Sequence, residues 1–388
     1  MTDRIYLDNA ATTFPKPPEV LREMVATYAR IGVSPGRGSH DLAVEAGDLV
    51  DDARARVARF FGAPDPDRVV FSANASDALN TVIGGVVQPG DHVIATRLDH
   101  NSVLRPLHHL AERGTITYDL APFDERGFVD PDAIAALIRP NTRAVVMCHA
   151  SNVLGTVQPV AEVAQRCAAR GVPLVVDAAQ SAGQVPIDMT ALGIDALAFT
   201  GHKSLYGPSG IGGLVLRPGL EVATTRFGGT GSNSGSLVHT QEYPLRLELG
   251  TLNLLGVIGL RLGIAFVEDH GLEALHRREM DLLARLRNGL AATPGVTLYG
   301  AAGLEHHVPV LTTNVAGVDP QDVGAILDGD FGIAVRVGVH CAPLVHRDLG
   351  TAARGAVRFS LGAFNTARDI ETAIGAMGTI AALRSGAR

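Results

Sequence analysis

The chain has 388 residues, of which 46% are hydrophobic, and a formal charge of −7. A single hydrophobic core stops growing at roughly 250–300 residues, so a large unit and a smaller one are expected. The mild charge without a long basic run argues against a nucleic-acid partner, and no apolar stretch reaches the roughly 20 residues of a membrane span.

From about residue 65 to 216, apolar β-branched runs alternate with helical patterns. Strands are expected at Arg68–Ser72, His92–Thr96, Ile116–Leu120, Ala144–Cys148, Leu174–Val176, Ala196–Thr200 and Gly212–Leu216. Several are apolar on both faces, which suits a parallel sheet covered by helices. The helical periodicity of Val160–Ala169 is one of the connecting segments. Polar residues gather at the carboxyl ends of these strands: Ser76, His100, Asn152, Asp177, Gln180 and Lys203. Ligands of doubly wound sheets bind there. After about residue 256 the texture changes. Helices are expected over Val257–Asp269, His276–Leu290 and Gln321–Leu327, and strands over Thr297–Tyr299, Val310–Val315 and Ala356–Ser360. A last helix begins near Thr366, whose side chain suits an N-cap. The expected division is a large α/β unit over residues 15–255, with a smaller α+β unit from 1–14 and 256–388.

Lys203 lies in AFTGHKSLYGPSG, a glycine-rich turn after a strand. Alone, such a lysine reads as a solvated surface group. Asp177 changes the balance, because it ends the apolar strand of LVVDAAQSAG. A carboxylate there is costly unless paired. A protonated pyridinium is a suitable partner, and the alternative is a helix N-cap. Gln180, three residues on, is placed to hydrogen-bond a ring hydroxyl. Ser76 opens a helix in SANASDALN, where amide groups and the helix dipole suit a phosphate dianion.

These segments together resemble the class V aminotransferase group of fold-type I pyridoxal-phosphate enzymes, from YLDNAATT to VRFSLGAFNT. Within it the likeness is to SufS-type cysteine desulfurases and selenocysteine lyases. The resemblance implies pyridoxal 5′-phosphate covalently held by Lys203, and a large mixed, mostly parallel sheet beside a smaller α+β domain. It implies His100 stacked on the ring, Asn152 on the ring and the substrate carboxylate, and Thr200 at the cofactor. Ala75, Ser76 and His202 fall at the phosphate. Ala75 stands where the family often has a threonine, so one hydroxyl is missing. It implies a homodimer in which Thr251, in LELGTLN, reaches the partner's phosphate.

Of three cysteines, Cys148 falls in an apolar strand and Cys167 on a helix, and both read as structural. No CxxC pair suggests a metal, and three thiols make no disulfide framework. A reducing, cytoplasmic setting is expected, since MTDRIYLDNAATTF also lacks the apolar core of a signal peptide. Cys341 lies in RVGVHCAPLVH, near Arg336 and His340, whose charge would favour the thiolate. The segment resembles the RxGHHCA signature whose cysteine carries a persulfide, with Val339 in place of the first histidine. Arg358, in the apolar AVRFSLG, needs an anion. The resemblance makes that the α-carboxylate of the substrate, and a structural salt bridge is the alternative. The implied activity is conversion of L-cysteine to L-alanine, with Cys341 passing sulfur to an acceptor protein. The alternatives are selenocysteine lyase, another class V reaction such as transamination or epimerisation, and a non-catalytic scaffold.

Overall fold

The computed structural model describes residues 4–35, 38, 40–231, 235–300 and 303–383. A short strand β1 (Ile5–Tyr6) precedes helices α1 (Pro18–Ile31) and α2 (Asp41–Phe60). Alternating elements follow: β2 (Val69–Ser72), α3 (Ala75–Val86), β3 (Asp91–Thr96), α4 (Asn101–Glu112), β4 (Ile116–Ala121), α5 (Pro131–Leu137), β5 (Thr142–Cys148), α6 (Val160–Ala168), β6 (Leu174–Asp177), β7 (Ala196–Thr200) and β8 (Gly212–Leu216). Each strand expected between residues 65 and 216 is present.

These strands form one sheet in the order β2-β8-β7-β6-β5-β3-β4. Only β8 runs against its neighbours, pairing antiparallel with both β7 and β2. Successive residues point to opposite faces. Phe71, Ile94, Val145, Met147, Val176 and Phe199 pack with α2 and α6. Val70, Val93, Val146, Val175, Ala198 and Leu214 pack with Leu79, Val82 and Ile83 of α3 and Val103 and Leu107 of α4. Apolarity on both faces of the strands therefore follows from helices on both sides of the sheet.

The remaining elements are α7 (Leu254–His270), α8 (Leu272–Ala291), β9 (Val296–Tyr299), β10 (Val310–Val315), α9 (Pro320–Phe331), β11 (Ile333–Ala334), β12 (Arg336–Gly338), α10 (Pro343–Asp348), β13 (Ala356–Ser360) and α11 (Ala367–Leu383). A second, antiparallel sheet has the order β12-β13-β10-β9, and β1 pairs with β11. Leu283 and Leu286 of α8, Val323 and Leu327 of α9 and Ile370 and Met377 of α11 share a core with Leu311 of β10 and Val357 and Phe359 of β13. Thr366 Oγ1 accepts the Asp369 N–H at 3.3 Å and caps α11. Helix α7 was expected to open the smaller unit. It buries Leu254, Val257, Leu260 and Ile264 in the same core as Phe71 and Phe199. It also lies against the turn after Lys203, where a Cβ on Gly263 would stand 2.1 Å from the Leu205 carbonyl. Glycine is what permits that approach.

A buried carboxylate ties α8 to the same turn. Glu279, only 2% exposed, accepts from Gln184 Nε2 at 2.8 Å, and Gln184 Nε2 also donates to Ser204 Oγ at 2.9 Å. Tyr206 hydrogen-bonds the same carboxyl. Burial, against the opposing pull of Gln184 and Arg278, pushes the Glu279 pKa up to about 8. The folded chain thus holds a proton that the unfolded chain loses near pH 4.5. Stability from this group is complete below that value and is lost as pH rises through 8. We expect Glu279→Gln, a neutral shape mimic, to flatten that loss. Urea midpoints at pH 5 and pH 8 check this, and the variant should gain on the native chain by a few kcal/mol at pH 8.

Candidate active site

A cavity of about 380 Å³ opens at the carboxyl ends of the central strands, where the large sheet meets the loop after β12. It is lined by Ala75, Ser76, His100, Asn152, Asp177, Gln180, Thr200, His202, Lys203, Cys341 and Arg358, all of them expected from the sequence. Thr251 is the exception. It is exposed and lines a separate cleft with Ser34, Pro35 and Leu252.

The floor is built by the strand ends. Asp177, 6% exposed, closes β6 and accepts the Ala179 N–H at 2.9 Å. Burial raises its pKa, which the Ala179 bond and the Lys203 charge oppose. Burial lowers the Lys203 pKa to about 8, against the pull of Asp177. An amine so shifted is closer to giving up its proton at neutral pH than an exposed lysine. The Lys203 turn is fixed from the N-terminal arm. Thr12 Oγ1 donates to the His202 carbonyl at 3.0 Å and Thr13 Oγ1 to the Lys203 carbonyl at 3.0 Å. Lys16 Nζ, 2.6 Å from the His202 carbonyl, adds a further donor.

One wall is made of two helix N-termini. Asn74 caps α3, accepting from Asp77 N. This leaves the amides of Ala75 and Ser76 without intrahelical acceptors. His100 caps α4: its Nδ1 accepts the Ser102 N–H at 3.0 Å, which fixes the proton of the neutral ring on Nε2. Burial, with Lys203, Arg105 and Arg358, lowers the His100 pKa to about 4, so the ring is neutral. Ser102 was not singled out in the sequence. Its Oγ lies 2.5 Å from Ser76 Oγ and 2.8 Å from His100 Nδ1. It brings from α4 a second hydroxyl beside the turn where Ala75 supplies none.

The opposite wall carries cations. Arg358, 3% exposed, donates Nη2 to Asp8 Oδ1 at 3.0 Å and Nη1 to the Asn152 carbonyl at 3.0 Å. Its buried Nε has no partner. The salt bridge weighed from the sequence is therefore present, and Asp8 is a residue that reading missed. One guanidinium edge is held by protein and an N–H remains. Arg336 also lines the cavity, 3.8 Å from Asp8, with its side chain half exposed. Asn152 Nδ2 donates to the His340 carbonyl at 2.5 Å and anchors the cysteine loop.

Cys341 is exposed. Besides the main cavity it borders a groove of about 600 Å³ along α4 that also touches His100 and Arg105. His340 and Cys341 have φ of 49° and 57°, a left-handed conformation that is uncommon without glycine and often marks functional loops. The expectation that His340 supplies positive charge to the thiol is not met. Its ring is buried against His346, and burial with Arg358 holds its pKa far below the usual value. Cys148 forms part of the cavity wall, yet burial, with Asp99 and Asp177, raises its pKa and keeps the thiol protonated. Burial pushes Cys167 up to about 12.

The donor set fits pyridoxal phosphate. A buried acid stands at a strand end, Thr200 Oγ1 is buried with no partner, and two helix N-termini with Ser76 and Ser102 face the cavity. Among the described residues, no cluster of metal-ligating side chains is present.

The family model for aminotransferase class V matches residues 5–372. A probable cysteine desulfurase of Methanothermobacter thermautotrophicus is 35% identical over 379 residues, covering 96% of this chain and 93% of the relative. The apo structure of a cysteine desulfurase from Thermococcus onnurineus superposes with a TM-score of 0.92 at 35% identity, over 98% of this chain and 95% of that one. The cysteine desulfurase CsdA from Escherichia coli superposes with a TM-score of 0.88 at 29% identity, over 98% and 95% of the two chains.

Proposed function

The chain belongs to the class V aminotransferase family, and from that premise we propose that it is a pyridoxal-phosphate-dependent cysteine desulfurase that leaves a persulfide on Cys341. The observation that carries the reading is one cavity lined by Lys203, Asp177, Arg358 and an exposed Cys341. When bound, pyridoxal phosphate supplies an electron sink for charge developing at the substrate Cα. Asp177 would serve as counter-charge to the ring, and Gln180 and Thr200, which line the same cavity, would bind its polar groups. Ser76, His202 and the amides opening α3 hold the phosphate, as helix N-termini favour. His100 would pack against the cofactor, its ring held by the Ser102 N–H at Nδ1.

Lys203 holds the cofactor and then takes the Cα proton, a task suited to an amine whose pKa is lowered. Arg358 and Asn152 orient the α-carboxylate of L-cysteine. The Cys341 thiolate attacks the substrate sulfur. A sulfur–sulfur bond forms, the Cβ–S bond breaks, and the electron pair passes to Cβ, which takes a proton; the proton that Lys203 removed then returns to Cα and completes L-alanine. Cys341 loses its proton and gains one sulfur. Its place between the cavity and the groove along α4 suits delivery of that sulfur to an acceptor protein.

The reading includes a homodimer in which Thr251 serves the phosphate of the neighbouring chain, supported by its exposure away from its own cavity. Free thiols at Cys148, Cys167 and Cys341 support a reducing, cytoplasmic setting, and among the described residues no helix is long and apolar enough to cross a membrane.

Incubation with L-cysteine and a reductant should release alanine and sulfide in equal amounts. Release of neither, or formation of a keto acid instead, contradicts the reading. Arg358→Lys tests the carboxylate contact. Lysine keeps the charge but loses the planar fork, so the KM for L-cysteine should rise about tenfold or more while the visible absorbance of bound cofactor is unchanged. An unaltered KM removes Arg358 from substrate binding.

A further inference from the structure

Behind Cys341 lies a chain of buried side chains that the reaction does not use. His346 of α10 is 0% exposed and His340 is 7% exposed. His340 Nδ1 lies 3.1 Å from His346 Nε2, and His346 Nδ1 lies 2.8 Å from Thr351 Oγ1. His340 Nε2 lies 3.4 Å from the Arg336 carbonyl. The direction of these bonds follows from their end. A carbonyl only accepts, so His340 Nε2 donates. The neutral His340 ring must then accept at Nδ1, so His346 Nε2 donates to it. The neutral His346 ring must accept at Nδ1, so Thr351 Oγ1 donates, its one proton lying nearer Nδ1 at 2.8 Å than the His346 carbonyl at 3.3 Å. Burial and the charge of Arg358 keep both rings neutral.

We propose that His346 and Thr351 are positioning residues for sulfur transfer, holding Cys341 through a directed Thr351–His346–His340–Arg336 relay. The relay closes on the carbonyl of the residue that opens β12, so it ties Arg336 to His340, the residue before Cys341. Within that turn His340 and Cys341 keep their left-handed backbone, which costs energy unless the surroundings enforce it. The outer side of the turn is tied separately, by the Asn101 N–H on the Cys341 carbonyl at 2.8 Å and by Asn152 on the His340 carbonyl. The relay is the tie from beneath. This inference rests on the reading of Cys341 as the sulfur carrier.

The test compares His346→Leu, His346→Gln and Thr351→Val in the holoenzyme by amide hydrogen exchange and steady-state kinetics. Glutamine keeps a donor toward His340, and leucine keeps neither bond. In His346→Leu, exchange of the peptide spanning 338–345 should rise about tenfold or more, as expected for loss of both hydrogen bonds, with the rest of the chain unchanged. Its kcat should fall at constant KM and constant cofactor absorbance. His346→Gln should lie near the native protein, and Thr351→Val between the two. Unchanged exchange in His346→Leu, or equal rises in the leucine and glutamine variants, overturns the relay. If the leucine variant does not fold, Thr351→Val decides, and unchanged exchange there overturns it. Alanine release by Cys341→Ala would instead remove the functional reading and leave the exchange result standing.

Discussion

Replacing Lys203 with alanine should lower alanine release from L-cysteine by about 10⁴-fold, the upper range for removal of a positioned proton-transfer group. The protein should stay folded, because the turn is held through backbone carbonyls: Thr12 and Thr13 bind those of His202 and Lys203, and Tyr206 N–H binds that of Lys203 at 2.9 Å. The side chain itself contributes no hydrogen bond among those of the described residues, and burial already disfavours its charge. Two measurements check this. Alanine release reports the rate. Borohydride treatment of the native enzyme should leave the cofactor on the peptide carrying Lys203, and in the variant on no peptide. Cofactor fixed to Lys16, the other lysine of the sequence, whose pKa burial also lowers to about 8, would displace Lys203 from this role.

The second large effect is expected at Cys341. Cys341→Ala should cut alanine and sulfide release by about 10³-fold or more, the scale expected when a covalent nucleophile is removed. Cofactor absorbance and its change on adding L-cysteine should persist, since Lys203, Asp177 and Arg358 are untouched. Cys148→Ala and Cys167→Ala should retain desulfuration. Burial raises both thiols, so neither forms the thiolate that attacks sulfur. Full alanine production by Cys341→Ala would leave only the family membership and the fold.

Much of this was legible in the sequence because it is local. Strands apolar on both faces announce a sheet between two helix layers, and a polar residue closing such a strand announces the site. Asp177 after LVV gave Lys203 after AFTGH a reading beyond a surface lysine, and the family resemblance supplied their roles. The parts that were not legible depend on pairs far apart in the chain. Asp8 and Arg358 are separated by 350 positions, and no period in either segment points to the other. Ser102 reaches Ser76 because two helices begin side by side, which is a property of strand order rather than of either motif. The charge expected of His340 fails for the same reason. Adjacency to Cys341 suggested a charge beside the thiol, but His346, six residues on in α10, hydrogen-bonds the buried ring, and burial with Arg358 keeps it neutral. Helix α7 has an apolar pattern that fits either unit, and its contacts with the Lys203 turn are visible only in the fold.

The central claim is that Cys341 carries sulfur taken from L-cysteine. Mass spectrometry of the holoenzyme, after L-cysteine and without reductant, tests it most directly. The account predicts one added sulfur on the peptide carrying Cys341, removed by a reductant as sulfide, with the Cys148 and Cys167 peptides unchanged. Turnover of L-cysteine to alanine with no sulfur on Cys341, or with the sulfur on Cys148 or Cys167, would contradict it.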